Sequence, residues 1–142
     1  MEQKYLDKLE FNKVLEMLEK YSLTYIGKEY IKNLKPCTEK EKVKNMINET
    51  MESDILIHRI GGIPLGEIDN INIHLRTLEA GGTLSIKQIL DLASILKMSR
   101  EIQEYYKKAI GIEEEIVNNL KEYFTQIYSN SIIENKIFKA II

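Results

Sequence analysis

From Phe11 onward the apolar residues of this chain return every three or four positions, and glycine and proline supply the punctuation. That period lays side chains along one face of a helix, whereas a half-buried strand requires strict alternation. The pattern therefore confines the chain to helices packed on helices. Phe11, Val14, Leu15, Leu18 and Tyr21 mark a first helix over about Asp7 to Tyr21. Ser22 is placed to cap a second, with Ile26, Tyr30 and Leu34 in steps of four, closed ahead of Pro36 because the residue before proline avoids the helical region. Gly27 inside that helix costs about 1 kcal/mol relative to Ala, which points to close helix–helix approach. Thr38-Glu39-Lys40-Glu41 reads as a capping box. It opens a long third helix to about Ile60, carrying Val43, Ile47, Met51 and Ile55 with Met46 beside them.

Gly61-Gly62 ends that helix, as cap glycines do, and Pro64 stiffens the loop to Gly66. Asp69 is placed to cap a fourth helix with Ile71, Leu75 and Leu78, which stops at Gly81-Gly82. Ser85-Ile86-Lys87-Gln88 is a second capping box. It opens a fifth helix through Ile89, Leu90, Ala93, Leu96, Ile102, Tyr105 and Ala109 to Gly111. Glu113-Glu114-Glu115 suits the positive first turn of a sixth, with Ile116, Leu120 and Phe124. Ser131-Ile132-Ile133-Glu134 is a third capping box, opening a last helix with Ile133, Ile137 and Ile141 in step. The expected fold is all-α: an irregular bundle of six or seven helices forming a single domain over residues 1–142, with a sub-boundary near residue 111. The last helix meets no Gly or Pro stop, so the chain is expected to be a fragment truncated inside it. Phe11, Leu15, Ile47, Leu75, Leu78 and Leu96 are the expected packing residues.

Composition narrows the function classes. Apolar residues make up 44% and charged residues 30%, the balance of a soluble globular chain. Net charge is −2, and the signs are mixed: residues 1–50 hold ten lysines against nine acids. A module that grips a phosphate backbone alone shows a basic face, so weak or no autonomous nucleic-acid binding is expected. Cys37 is the one cysteine, which excludes an intrachain disulfide and fits a cytoplasmic location. The start, Met-Glu-Gln-Lys-Tyr-Leu-Asp-Lys, lacks the apolar core of a signal peptide, and no apolar run is long enough to span a membrane.

No residue set reaches catalytic or metal-binding quality. His58 and His74 sit outside ligand spacings such as H-E-x-x-H and read as helix-surface or boundary residues. Cys37 has no partner pattern for nucleophilic catalysis and reads as structural. Gly61-Gly62-Ile63-Pro64-Leu65-Gly66 is followed by Glu67, where a phosphate loop requires Lys. Glu113–Glu115 points in three directions around a helix and holds no cation. Tyr105-Tyr106-Lys107-Lys108 and the cluster Lys40, Lys42, Lys44 come nearest to nucleic-acid contacts. The lysines alternate with Glu39 and Glu41, the mark of a solvated, salt-bridged face. Catalytic, cofactor-binding and metal residues are accordingly expected to be none.

Leu9-Glu10-Phe11-Asn12-Lys13, Gly27-Lys28-Glu29, Leu34 with Pro36, Pro64-Leu65-Gly66 with Ile68 and Asp69, and Leu75, Glu79, Ala80, Gly81, Leu84 and Ser85 occur in an order and spacing that resembles the amino-terminal segment of bacterial MutS type II proteins. The resemblance runs over about residues 5–142 and is loosest near Tyr105–Tyr128. It implies the start of a helical core and lever region that joins a DNA-embracing clamp to an ATPase. It implies a parent that is a homodimeric ATPase using ATP and Mg, with a carboxy-terminal Smr nuclease domain, acting on branched or mismatched DNA to suppress recombination, or on ribosomes and their RNA. The segment itself is then no enzyme and holds no cofactor, and its partner is the rest of the parent chain. From the residues alone, the rival expectation is a stand-alone helical adaptor. It would bind a protein partner through the Ile133, Ile137, Ile141 stripe of its last helix.

Overall fold

A computed structural model describes residues 3–112 and 117–141, and eight helices follow one another among them. They are α1 (Gln3–Lys8), α2 (Phe11–Glu19), α3 (Tyr25–Lys32), α4 (Lys40–Ile60), α5 (Asn72–Glu79), α6 (Ile86–Ile112), α7 (Lys121–Thr125) and α8 (Ser131–Ile141). No strand lies among the described residues, and an isolated parallel bridge pairs Thr24 with Ile68. The fold is all-α. Glu113–Glu115 and Ile116, expected at the start of a helix, lie outside the described residues, as does Ile142.

The long helices start and stop where local chemistry directs. α4 ends at Gly61, whose φ of 101° is open to glycine. α5 ends in a Schellman motif: the N–H of Gly81 donates to Leu78 O at 2.9 Å and that of Gly82 to Thr77 O at 2.8 Å. α6 opens on the expected capping box, with Ser85 N–H donating to Gln88 Oε1 at 2.8 Å and Gln88 N–H to Ser85 Oγ at 3.3 Å.

Other ends differ from expectation. The first helix is broken at Leu9–Glu10, where Glu10 takes the left-handed conformation with φ 54°; a separate α1 precedes the break, so the helices number more than seven. Thr24, not Ser22, caps α3, its Oγ1 accepting from Gly27 N–H at 3.0 Å. A Cβ at Gly27 would meet Ser22 Oγ at 2.5 Å and Thr24 Oγ1 at 2.8 Å. The glycine clears space for its own cap rather than for a neighbouring helix. Thr38 forms no capping box: α4 starts after Glu39, with no side-chain cap. Asn70, not Asp69, accepts from the N–H of Asn72. Asn130 Oδ1 accepts from Ile133 N–H at 3.0 Å, taking the cap position expected of Ser131.

α6 is the spine. At 1.5 Å per residue its 27 residues span about 40 Å. α8 lies along it, and α7 and α4 pack against it. The core gathers Leu56 of α4, Ile102, Tyr105 and Ala109 of α6, Val117, and Phe124 of α7. Ile60, Ile63, Met98 and Ile127 surround this cluster. The phenyl ring of Phe124 stacks on Tyr106 at 5.0 Å between centroids. The remainder is open. The chain exposes 10837 Å², against roughly 7,600 Å² for a compact monomer of its mass by surface-to-mass scaling.

Candidate functional site

α6 is cross-tied by polar side chains as well as packed. Arg100 Nε and Nη2 donate to both carboxylate oxygens of Glu134 on α8, at 3.1 and 2.9 Å, and Nη1 donates to Glu104 at 3.0 Å. Gln103 Nε2 donates to the carbonyl of Ile127 at 2.6 Å, while its Oε1 accepts from Ser129 Oγ at 2.6 Å. Tyr105 Oη donates to Gly61 O at 2.8 Å, holding the end of α4. From α4, Glu52 accepts from the N–H groups of Asn119 and Leu120 and from the Asn119 amide. Among the described residues no buried side-chain N or O lacks a partner.

The electrostatics follow from these bonds. Hydrogen bonds from Arg100 hold the Glu134 carboxyl below the usual carboxylate range, against the opposing effect of its burial. The same bonds, with those to Glu104, raise the Arg100 guanidinium above its ordinary value. Burial pushes the Tyr105 phenol up. Its hydrogen bond to Glu49 raises Tyr123. The arrangement can fix helices relative to one another.

The residues singled out for chemistry are scattered. Cys37 is half-buried in the linker after α3. His58 is exposed, with Nδ1 2.8 Å from the Asp54 carbonyl of its own helix. His74 is half-buried, with Nε2 3.5 Å from Asp91 on α6 and Nδ1 3.5 Å from the Gln88 amide. Among the described residues no group of three or more His, Cys, Asp and Glu side chains is placed to hold a metal, and no helix is long and apolar enough to cross a membrane. Lys40, Lys42 and Lys44 are exposed. Tyr105 is buried in the core and half-buried Tyr106 stacks on Phe124, and Lys107 and Lys108 stand exposed beside them. The glycine loop 61–66 closes α4.

None of the six expected packing residues lies in the buried core. Ile47 is 53% exposed, Leu75 41% and Leu78 46%; Phe11, Leu15 and Leu96 are half-buried. α4 turns Glu52, Leu56 and Ile60 to the core, and leaves Ile47, Met51 and Ile55 outside. Among the described residues Glu52 and Glu134 are buried and polar; Glu52 gave no local signal, because its partners lie on another element, and Glu134, expected to close a capping box, turns instead to Arg100 on α6. In α8, Ile137 and Ile141 are half-buried and Ile133 stays exposed, so the last helix is already engaged along α6.

No protein-family model matches the chain. Among curated proteins it is similar to Endonuclease MutS2 of Alkaliphilus oremlandii, 36% identical over the whole chain and 18% of that relative. It is 33% identical to Endonuclease MutS2 of Clostridium botulinum, over 99% of the chain and 18% of the relative. Endonuclease MutS2 of Halothermothrix orenii is 30% identical over 99% of the chain, again 18% of the relative. The chain thus spans under a fifth of the length of these relatives.

Proposed function

This chain is a MutS2-related segment, and from that premise we propose that it is the structural core and lever segment of a MutS type II ATPase and endonuclease. It passes nucleotide-driven movement to a clamp on branched or mismatched nucleic acid through rigid-body shifts of its helices. The observation that supports this reading best is α6: a rod of about 40 Å cross-tied by Tyr105 to Gly61 at the end of α4, by Gln103 to the loop between α7 and α8, and by Arg100 to α8. A rod held at several points moves as a unit, and a lever must. ATP, Mg and nuclease chemistry belong to the longer parent, which acts as a homodimer on DNA or ribosomal RNA in the cytoplasm; the segment supplies stiffness.

The test is to break the rod inside the full-length parent. Ser94 is an exposed residue in the middle of α6, and proline there costs about 3 kcal/mol of helix. Ser94→Pro should leave ATP hydrolysis in place while abolishing the nucleotide dependence of binding to branched DNA. If binding still responds to ATP with the helix broken, as judged by circular dichroism, the lever reading fails.

A further inference from the structure

α1 packs on α2 and α2 on α3, while α6 packs on α4, α7 and α8. Among the described residues no helix of the first group packs extensively on a helix of the second. Two clefts lie between the groups. One, of about 520 Å³, has Phe11, Leu15 and Leu18 of α2 on one wall and Val43, Ile47 and Met51 of α4 on the other. The second, of about 700 Å³, sets Tyr30 and Asn33 across from Asn45, Glu49 and Tyr123. Residues 33–39 join the groups without helix and are exposed apart from Leu34 and Cys37, which are half-buried. Near the opposite end of α3, Tyr25 N–H donates to Ile68 O at 3.1 Å beside the Thr24–Ile68 bridge.

Two apolar rows facing each other across an open cleft are a state that water opposes. Val14 and Leu18 on α2, and Met46, Ile47 and Met51 on α4, are all exposed, and a swing of α2 toward α4 would bury them against one another. We propose that α1–α3 form a hinged arm that turns about residues 33–39 and closes α2 onto α4, with the Tyr25–Ile68 main-chain bond as the latch that holds the present open geometry. The arm makes the 142-residue chain a two-position device. This inference does not depend on the lever reading and is tested on the chain itself.

Position 25 allows a clean test. It is the first residue of α3, where proline is favoured and its missing N–H costs the helix nothing. Thr24 ahead of it is already extended, at φ −103° and ψ 146°, as a residue before proline must be. Tyr25→Pro therefore removes the latch and leaves α3 intact, while Tyr25→Ala removes the ring and keeps the bond. In a Cys37→Ser background, spin labels at the exposed positions Lys13 (α2) and Asp54 (α4) report the gap. A pair at Asp54 and the exposed Lys108 (α6) reports the body. Tyr25→Pro should shift the α2–α4 distances to a shorter population, toward the 8–10 Å or so between axes of packed helices. The body pair should stay fixed, and Tyr25→Ala should match the parent. An unchanged or lengthened α2–α4 distance in Tyr25→Pro, the same shift in Tyr25→Ala, or a body pair that moves with the arm overturns the proposal.

Discussion

Glu52, in the middle of α4, caps a turn that lies 67 and 68 residues further along the chain: its carboxylate accepts from the backbone N–H groups of Asn119 and Leu120 at 2.9 to 3.0 Å. α7 follows with no side-chain cap of its own from Leu120, so a residue of another helix performs the capping. The bonds fasten the Val117–Leu120 turn beneath the core.

Truncating that carboxylate should loosen the turn. Glu52→Ala leaves part-buried N–H groups without an acceptor, at a cost of about 1–3 kcal/mol, whereas Glu52→Gln keeps one acceptor oxygen and should lose less. Thermal unfolding followed by circular dichroism measures both. Equal melting temperatures for Glu52→Ala and the parent would remove the cap from the account.

Burial orders the apolar positions differently from the amphipathic pattern. Leu56 is 2% exposed, so Leu56→Ala should cost about 2–5 kcal/mol. Leu78→Ala, at a half-exposed site on α5, should cost about 1 kcal/mol or less. Chemical denaturation of the two variants side by side decides it, and a larger loss for Leu78→Ala would place the core wrongly.

The helix stops give a graded glycine series. Gly81 has φ 73°, and Gly81→Ala should cost about 1–2 kcal/mol from the left-handed backbone. A Cβ at Gly82 would lie 3.0 Å from the Thr77 carbonyl oxygen, so Gly82→Ala should also destabilise. Gly62 meets nothing within 4 Å and has no positive φ, and Gly62→Ala should be neutral or stabilising by about 0.4–1 kcal/mol. Melting temperatures that fall equally for all three would refute the Schellman assignment.

Acid should release α8. The folded Glu134 carboxyl titrates below its unfolded value because Arg100 hydrogen-bonds its charged form. A depressed carboxylate contributes stability that is fully present above the unfolded pKa of about 4.3 and is lost as pH falls through the folded value. Amide exchange in α8 should rise over that acid range, and Glu134→Gln should remove this part of the pH dependence. Protection of α8 that falls identically with pH in both proteins would contradict it.

Helix order and the ends of α4, α5 and α6 are legible in the sequence because they rest on neighbours: Gly61, the Gly81-Gly82 pair, and Ser85 with Gln88 act within one turn. The break at Glu10 was hidden, since nothing in a Glu marks a left-handed residue. The buried face of α4 was hidden too. Val43, Ile47, Met51 and Ile55 form the clearer stripe, yet the face turned to the core carries Glu52, and only a partner across the fold makes a carboxylate acceptable there. The cross-ties at Arg100, Gln103 and Glu52 share that property, being pairs 24 to 68 residues apart that no local pattern announces.

The long reach of Glu52 also sets a schedule for synthesis. At about 5–20 residues per second, translation reaches Asn119 roughly 3–13 s after it has made Glu52. Through that interval the α4 face bearing Glu52 and Leu56 has neither its turn nor Phe124 to pack against. A charge in the centre of that face keeps it hydrated while the nascent chain waits, and the same charge becomes a cap once its partner is made.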